Sequence, residues 1–309
     1  MTGFSVTLGN VLMTLLYLLP GFILCRIRKV RPEHLPSIST ILLYVCGPCM
    51  FLNSLTSLDP SPELTGKMAQ FLLLSFLAEL LFLLLLYALS GRRREEFRWR
   101  MLAIAGVSGN TGFFGLPIIT ALFPSVPEAA VYSCMFCVSL NLLAWTVGVF
   151  TLTGDRRHIS FRDAFFNPTV LSVLLGFILY LARANSWLPD LVRTGVRNVG
   201  AMSTPLCLFT LGIRLGTMDL KKLFTQPFIY AVCCVKLVFF PLFCFGLSLL
   251  FPFSPVFRAS MLILGAAPCA SVIQNLAEIH GNGQDMAANC ALLSTLLCAV
   301  SIPLLSLLV

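Results

Sequence analysis

Apolar runs of twenty or so residues recur from one end of this chain to the other, separated by short polar loops. That repetition constrains the fold more than any motif does. As a helix rising about 1.5 Å per residue, each run matches the ~30 Å hydrocarbon core of a bilayer. The runs lie near 6–25, 38–58, 67–90, 101–123, 128–152, 167–183, 189–213, 226–251, 258–280 and 286–308. Composition argues against a soluble fold: 58% of the 309 residues are hydrophobic and 11% charged, with a mean hydropathy of +0.91. Soluble domains carry roughly a quarter charged residues. The chain reads as an all-α polytopic membrane protein of ten transmembrane helices. Its first run, Val6 to Cys25, is too long for a signal-peptide core and lacks a basic leader, so it is counted as a true span. No appended soluble domain is expected.

The formal charge of +8 raises the question of nucleic acid, but its distribution points elsewhere. The basic residues sit in short loops without interleaved aromatics on a solvated face. Assigning the loops alternately to two sides places fifteen of the 21 basic residues on one side, among them Arg92, Arg93, Arg94, Arg156, Arg157, Lys221 and Lys222. Lys67, Arg183, Arg193, Arg197 and Arg258 fall on the other, and Lys236 lies inside a span. The richer side is expected to be cytoplasmic, which puts both termini outside a plasma or inner membrane. The twelve cysteines fall within or beside spans, where the thiol is a small hydrophobe. The Cys46/Cys49 and Cys134/Cys137 pairs have the C-x-x-C spacing but no His or carboxylate neighbours, so no metal or cofactor is expected.

An internal repeat orders the spans. Phe97-Arg98-Trp99-Arg100-Met101-Leu102 recurs as Phe257-Arg258-Ala259-Ser260-Met261-Leu262. Gly21-Phe22-Ile23-Leu24 recurs as Gly176-Phe177-Ile178-Leu179, and Gly47-Pro48-Cys49-Met50-Phe51 is echoed around Pro205. Three matches in the same order pair spans one to five (1–153) with spans six to ten (167–309) across a thirteen-residue cytoplasmic linker, 154–166. Five spans is an odd number, so the second half enters the membrane from the opposite side. Inverted repeats of this kind are a transporter architecture.

Span four breaks the rule that the others keep. It carries Gly106, Gly109, Gly112, Gly115 and Pro117 at its middle, with Ser108, Asn110 and Thr111 among them. Each glycine or proline weakens a helix at a depth where freed backbone groups cost several kcal/mol unless protein or water meets them. The repeat-equivalent span nine is interrupted at Ala266-Ala267-Pro268-Cys269-Ala270-Ser271 and continues through Gln274, Asn275 and Glu278. Two helices that unwind at mid-depth can cross there, with half-helix N-termini suited to an anion and carbonyls and amides suited to a cation. Substrate binding is accordingly expected from Ser108, Asn110, Thr111, Pro117, Pro268, Cys269 and Ser271. Lys236 joins them as a charge deep in span eight, where an ionised group costs about 3 kcal/mol and must face protein or water. Glu79 in span three, with Gln274, Asn275 and Glu278, is the set considered for a coupling ion, H⁺ or Na⁺. Pro48, Pro205 and Pro241 are read as kinks.

The set Asn110-x-Gly112-x-x-Gly115-x-Pro117, Asn167-Pro168, Pro205, Lys236-Leu237 before Pro241, Pro268 after two alanines, and Ser294-Thr295 before Pro303 resembles the auxin efflux carrier family over essentially the whole chain. The resemblance implies a ten-span inverted-repeat fold similar to bile acid/sodium symporters. It further implies crossing helices that carry Asn110 and Pro117 on one side and Pro268 on the other, and export or exchange of small organic anions by an elevator-like movement. The plant carriers have a long hydrophilic loop where this chain has thirteen residues. The short microbial members, associated with dicarboxylates such as malonate or malate, are therefore the better match. The expectation is a secondary transporter of a small carboxylate, with a lipid bilayer as its surroundings, no nucleic-acid partner and a homodimer as a possible assembly. A channel or ligand sensor on the same fold is the alternative. An intramembrane enzyme fits less well, because His34, His158 and His280 lie near span ends in no metal-ligand spacing.

Overall fold

The computed structural model describes residues 3–218, 223–281 and 283–309, and within these every side chain except those at 94 and 278–280. Lys221 and Lys222, counted above toward the basic side, lie outside the described residues. The regular structure among the described residues is all helical, and the one β-type pairing among them is a single antiparallel bridge between Gly109 and Cys269. Eight helices are long and apolar enough to cross a membrane: α1 (Gly3–Arg26), α2 (Pro32–Thr56), α3 (Pro62–Leu89), α6 (Glu128–Thr153), α7 (Arg156–Leu181), α8 (Asp190–Thr217), α9 (Pro227–Leu249) and α12 (Gln284–Leu308). The remaining apolar sequence forms half-length helices, namely α4 (Phe97–Val107), α5 (Thr111–Leu122), α10 (Pro255–Gly265) and α11 (Val272–His280).

Local chemistry explains where α3, α10 and the Pro168–Leu181 segment of α7 begin. Ser61-Pro62, Asn167-Pro168 and Ser254-Pro255 each supply a side-chain oxygen that accepts a backbone N–H of the first turn, from Leu64 at 3.1 Å, Val170 at 2.9 Å and Phe257 at 3.3 Å. The proline that follows has no N–H to leave orphaned and a φ already suited to a helix. Mid-span prolines act differently. Pro48, Pro117 and Pro241 each follow a wide π-turn, at Leu42–Cys46, Thr111–Gly115 and Val235–Phe239, where the missing proline N–H is absorbed by an enlarged ring of backbone. Pro205 stands in the first turn after the break at Met202 in α8.

The helices pack as two groups. α8 packs on α1 and α2 and α7 packs on α2, while α3 packs with α6 and α4, and α9 with α10 and α12; α1 also packs across the groups on α12 and α5, and α7 on α6. A ring cluster ties α3, α6 and α10 together: Phe71 stacks on Tyr132 at 4.5 Å and meets the edge of Phe257 at 4.8 Å. Of its apolar window, α6 has 61% buried inside the protein and α1 only 22%, so α6 is the central helix and α1 turns most of its surface outward. Leu12, Leu16, Leu19 and Ile23 accordingly form an exposed apolar stripe on α1, the surface a lipid environment covers.

Candidate functional site

The interruptions after α4 and after α10 lie against each other. Between Val107 and Thr111 the backbone is extended at Ser108, because Gly109 and the residues flanking it do not continue the helix and Pro117 lies only two turns ahead. Between Gly265 and Val272 the break is forced by Pro268. The freed backbone groups pair with one another. The Asn110 N–H donates to the Pro268 carbonyl at 2.7 Å and the Ala270 N–H donates to the Ser108 carbonyl at 3.0 Å, flanking the Gly109–Cys269 bridge. Two broken helices thus satisfy each other through backbone groups that their breaks set free.

Side chains buttress this crossing. Cys269 N–H donates to Ser294 Oγ at 2.9 Å, and the Ser133 hydroxyl donates to the Thr111 carbonyl at 2.7 Å. The Lys236 ammonium, fully buried, donates to the Gly265 carbonyl at 2.8 Å and lies 4.4 Å from the centre of the Phe240 ring. Gly265 is the last residue of α10, whose C-terminal end carries partial negative charge, so the ammonium caps that end. Gly109 makes room for it, since a Cβ there would sit 2.8 Å from Nζ.

A cavity of about 310 Å³ opens on one side of the crossing. Asn110, Thr111, Gly109 and Gly112 line it from one broken helix and Ala270, Ser271, Val272 and Asn275 from the other. Asn141 and Trp145 of α6, and Asn167 and Thr169 of α7, add uncharged polar groups to a wall that is otherwise largely apolar, with Leu43, Phe51, Phe113, Leu140 and Phe166, and Asp163 is the single charged lining residue. Asn110 is half-buried and its amide donates to Cys207 Sγ at 3.5 Å, while the Thr111 hydroxyl lies 3.1 Å from Cys137 Sγ. Such a wall can hold a carboxylate through amide and hydroxyl donors or a cation through carbonyl oxygens.

The expected residues divide by position. Asn110, Thr111 and Ser271 line the cavity together, as does Asn275. Ser108, Pro268 and Cys269 are buried in the crossing itself and offer the cavity no side chain, and Lys236 stands behind the backbone rather than in the open space. Pro117 lines a different cavity, at the other end of α5. Gln274 is buried, and its amide nitrogen has no partner among the described residues. Glu79 is fully buried; it accepts the Ser139 hydroxyl, and its Oε1 has no partner. Among the described residues Glu79 and Lys236 form no ion pair, so each charge is met separately. The Glu278 side chain lies outside the described residues.

Sequence reasoning missed Phe51. It is 2% exposed, and its ring is what a Cβ on Gly112 would meet at 3.0 Å. An apolar residue in an apolar span carries no signal of such a role. Asp163 was legible only as part of a charged linker.

Comparison with known proteins finds transporters among the relatives of this chain. The chain is 25% identical over 295 residues to a protein of Rhizobium meliloti named "Putative malonate transporter", covering 91% of this chain and 89% of that one. It is 23% identical to a Methanothermobacter thermautotrophicus protein named "Uncharacterized transporter", covering 96% of each. A family model described as membrane transport protein matches residues 6–161 and 155–306, nearly the full length. The chain therefore belongs to the membrane transport protein family, the auxin efflux carrier family that its motifs resemble.

Proposed function

We propose that this protein is a secondary active transporter of a small carboxylate, of which malonate is the first candidate. The observation that carries the reading is the backbone-paired crossing of two broken helices with amides and hydroxyls from both facing one cavity. The Rhizobium relative's name supplies the substrate class. Asn110, Thr111, Ser271 and Asn275 hold the anion, with N–H groups at the starts of α5 and α11 adding partial positive charge. Lys236 acts at one remove. By neutralising the α10 carbonyl end it leaves the crossing with a net positive field.

In this reading the ten spans are α1, α2, α3, α4 with α5, α6, α7, α8, α9, α10 with α11, and α12, arranged as two inverted halves. The packing supports the arrangement. Gly21 of α1 lies against Phe209 and Ile213 of α8, while Gly176 of α7 lies against Leu52 and Leu55 of α2. Exchanging the halves turns the first pairing into the second. α1, α2, α7 and α8 then form a scaffold past which the other helices carry the crossing between two faces, in an elevator-type alternation. A cation gradient drives the cycle, and Glu79, buried with one carboxylate oxygen unpartnered, is the group through which protons would enter it. The protein resides in a plasma membrane with both termini outside, and two copies associate.

Uptake of labelled malonate and a panel of mono- and dicarboxylates into proteoliposomes, under imposed pH or Na⁺ gradients, tests the reading. Saturable, gradient-dependent flux that falls at least severalfold in Asn110→Ala at unchanged folded yield is expected. Non-saturating current would make the protein a pore, and no flux of any carboxylate would end the proposal.

A further inference from the structure

A second cavity, of about 430 Å³, lies at the opposite end of the cleft between the two helix groups. Along α2 the lining passes from Leu43, Tyr44 and Phe51 at the first cavity to Asn53, Ser57 and Leu58 at the second, and along α6 from Asn141 and Trp145 back to Ala130. The two spaces therefore approach one partition from two ends. Phe51 against Gly112 forms part of it, and α5 runs through it with Asn110 at one end and Thr120 at the other.

The second cavity has a charge character that the first lacks. Arg197 of α8 is its only charged lining residue, and no carboxylate joins it there. Arg193, one turn earlier, is engaged: it bonds Asp190, and its Nη1 reaches the Asn185 carbonyl and side chain at 2.9 and 3.0 Å. Arg197 forms no hydrogen bond or ion pair among the described residues, and the side chains of Asn53 and Thr204 beside it are likewise unengaged. Arg197 is exposed, and it also lines a neighbouring space of about 420 Å³ together with Asn53, Ser57, Asp190 and Arg193.

We infer that this cavity is a carboxylate-binding vestibule on the face opposite the first cavity, with Arg197 as its anion-capturing residue and Asn53 and Thr204 as neutral donors or acceptors beside it. The inference rests on the transport reading for its purpose but not for its chemistry. A guanidinium fork matches a carboxylate in two parallel hydrogen bonds, and a lone cation in a cleft with low-dielectric walls concentrates anions before they reach the partition. The cavity volume suits a dicarboxylate of three or four carbons and leaves room for water. Of the basic residues assigned to this side, Arg197 is the one that lines the cavity.

Calorimetric titration of the purified full-length protein with malonate, run beside the proteoliposome assay, tests the vestibule. Arg197→Gln is expected to weaken binding at least fivefold and to raise KM by a similar factor with kcat within twofold of wild type, while Arg197→Lys keeps most of the affinity. In Arg197→Cys, a cationic thiol reagent restores binding and an anionic one does not; a merely structural role would not follow the sign of the charge. Wild-type-like binding and KM in Arg197→Gln would overturn the inference even if transport is robust. Arg197-dependent binding without transport would uphold it and remove the transport reading. Absence of both binding and transport in the wild type would overturn both.

Discussion

Two places in this molecule bring helix backbones into contact through glycine, and they do opposite things. Where α1 crosses α8, a Cβ on Gly21 would sit 2.1 Å from the Phe209 carbonyl, and a Cβ on Gly212 would sit 2.1 Å from the Leu18 carbonyl. Both segments are helical there, Leu18–Arg26 and Ser203–Thr217, and the contact is a close-packed joint with no backbone pairing across it. Where the chain breaks at Ser108–Asn110 and Ala266–Ser271, the backbones also meet. Here they exchange hydrogen bonds because neither is helical, and one side of the pairing faces an open cavity. Glycine at mid-span is therefore not itself the mark of a site. The mark is glycine together with a loss of helical hydrogen bonding that a second segment repairs.

The largest expected effect tests the joint. Gly212→Ala places a methyl group inside a neighbouring backbone with no side chain able to yield, and should destabilise the protein by at least about 3 kcal/mol. Collapse of the monodisperse peak in detergent gel filtration is the readout, and an unchanged melting profile would contradict the joint as described. Next comes Lys236→Met, which removes the cap on Gly265 and leaves a buried carbonyl unmet at a cost of about 1–3 kcal/mol. Transport should fall at least severalfold in folded protein, and wild-type flux would dismiss any role for this ammonium in the crossing. Gly109→Ala should fold, since the clash at 2.8 Å is with the far end of a flexible lysine, yet should slow transport by displacing that ammonium. Equal thermal losses in Gly109→Ala and Gly212→Ala would erase the distinction between joint and crossing. The smallest effect is expected at Gly66 of α3, which has open space around it. Gly66→Ala should leave flux untouched and raise stability by about 0.4–1 kcal/mol, as read by thermal unfolding.

Much of this arrangement is legible in the residues. The runs of apolar sequence correspond to the eight long helices and the two pairs of half-helices. Ser-Pro and Asn-Pro pairs mark three helix starts, and Gly109 through Pro117 and Ala266 through Ser271 mark the two breaks. The candidate site is legible in part. Asn110, Thr111 and Ser271 share a cavity because they flank breaks, whereas Lys236 and Glu79 draw attention only as charges in apolar surroundings, and neither touches the open space. Arg197 looks in sequence like any loop-proximal arginine beside Arg193. Arg193 is paired because Asp190, one turn before it, and Asn185, ahead of α8, reach its guanidinium, whereas Arg197 meets no such partner among the described residues.

By itself the sequence determined that the chain is built of helices long and apolar enough to span a membrane and that two apolar runs are interrupted, because hydrophobic length and helix-breaking residues act locally, within a turn or two of where they stand. The tertiary structure alone decided that the interruptions satisfy each other, that Lys236 faces a helix end and that Phe51 and Arg197 stand at a cavity's partition and wall. Those outcomes depend on contacts between residues more than a hundred positions apart, and the side chains concerned have the same chemistry whichever neighbour the fold brings to them.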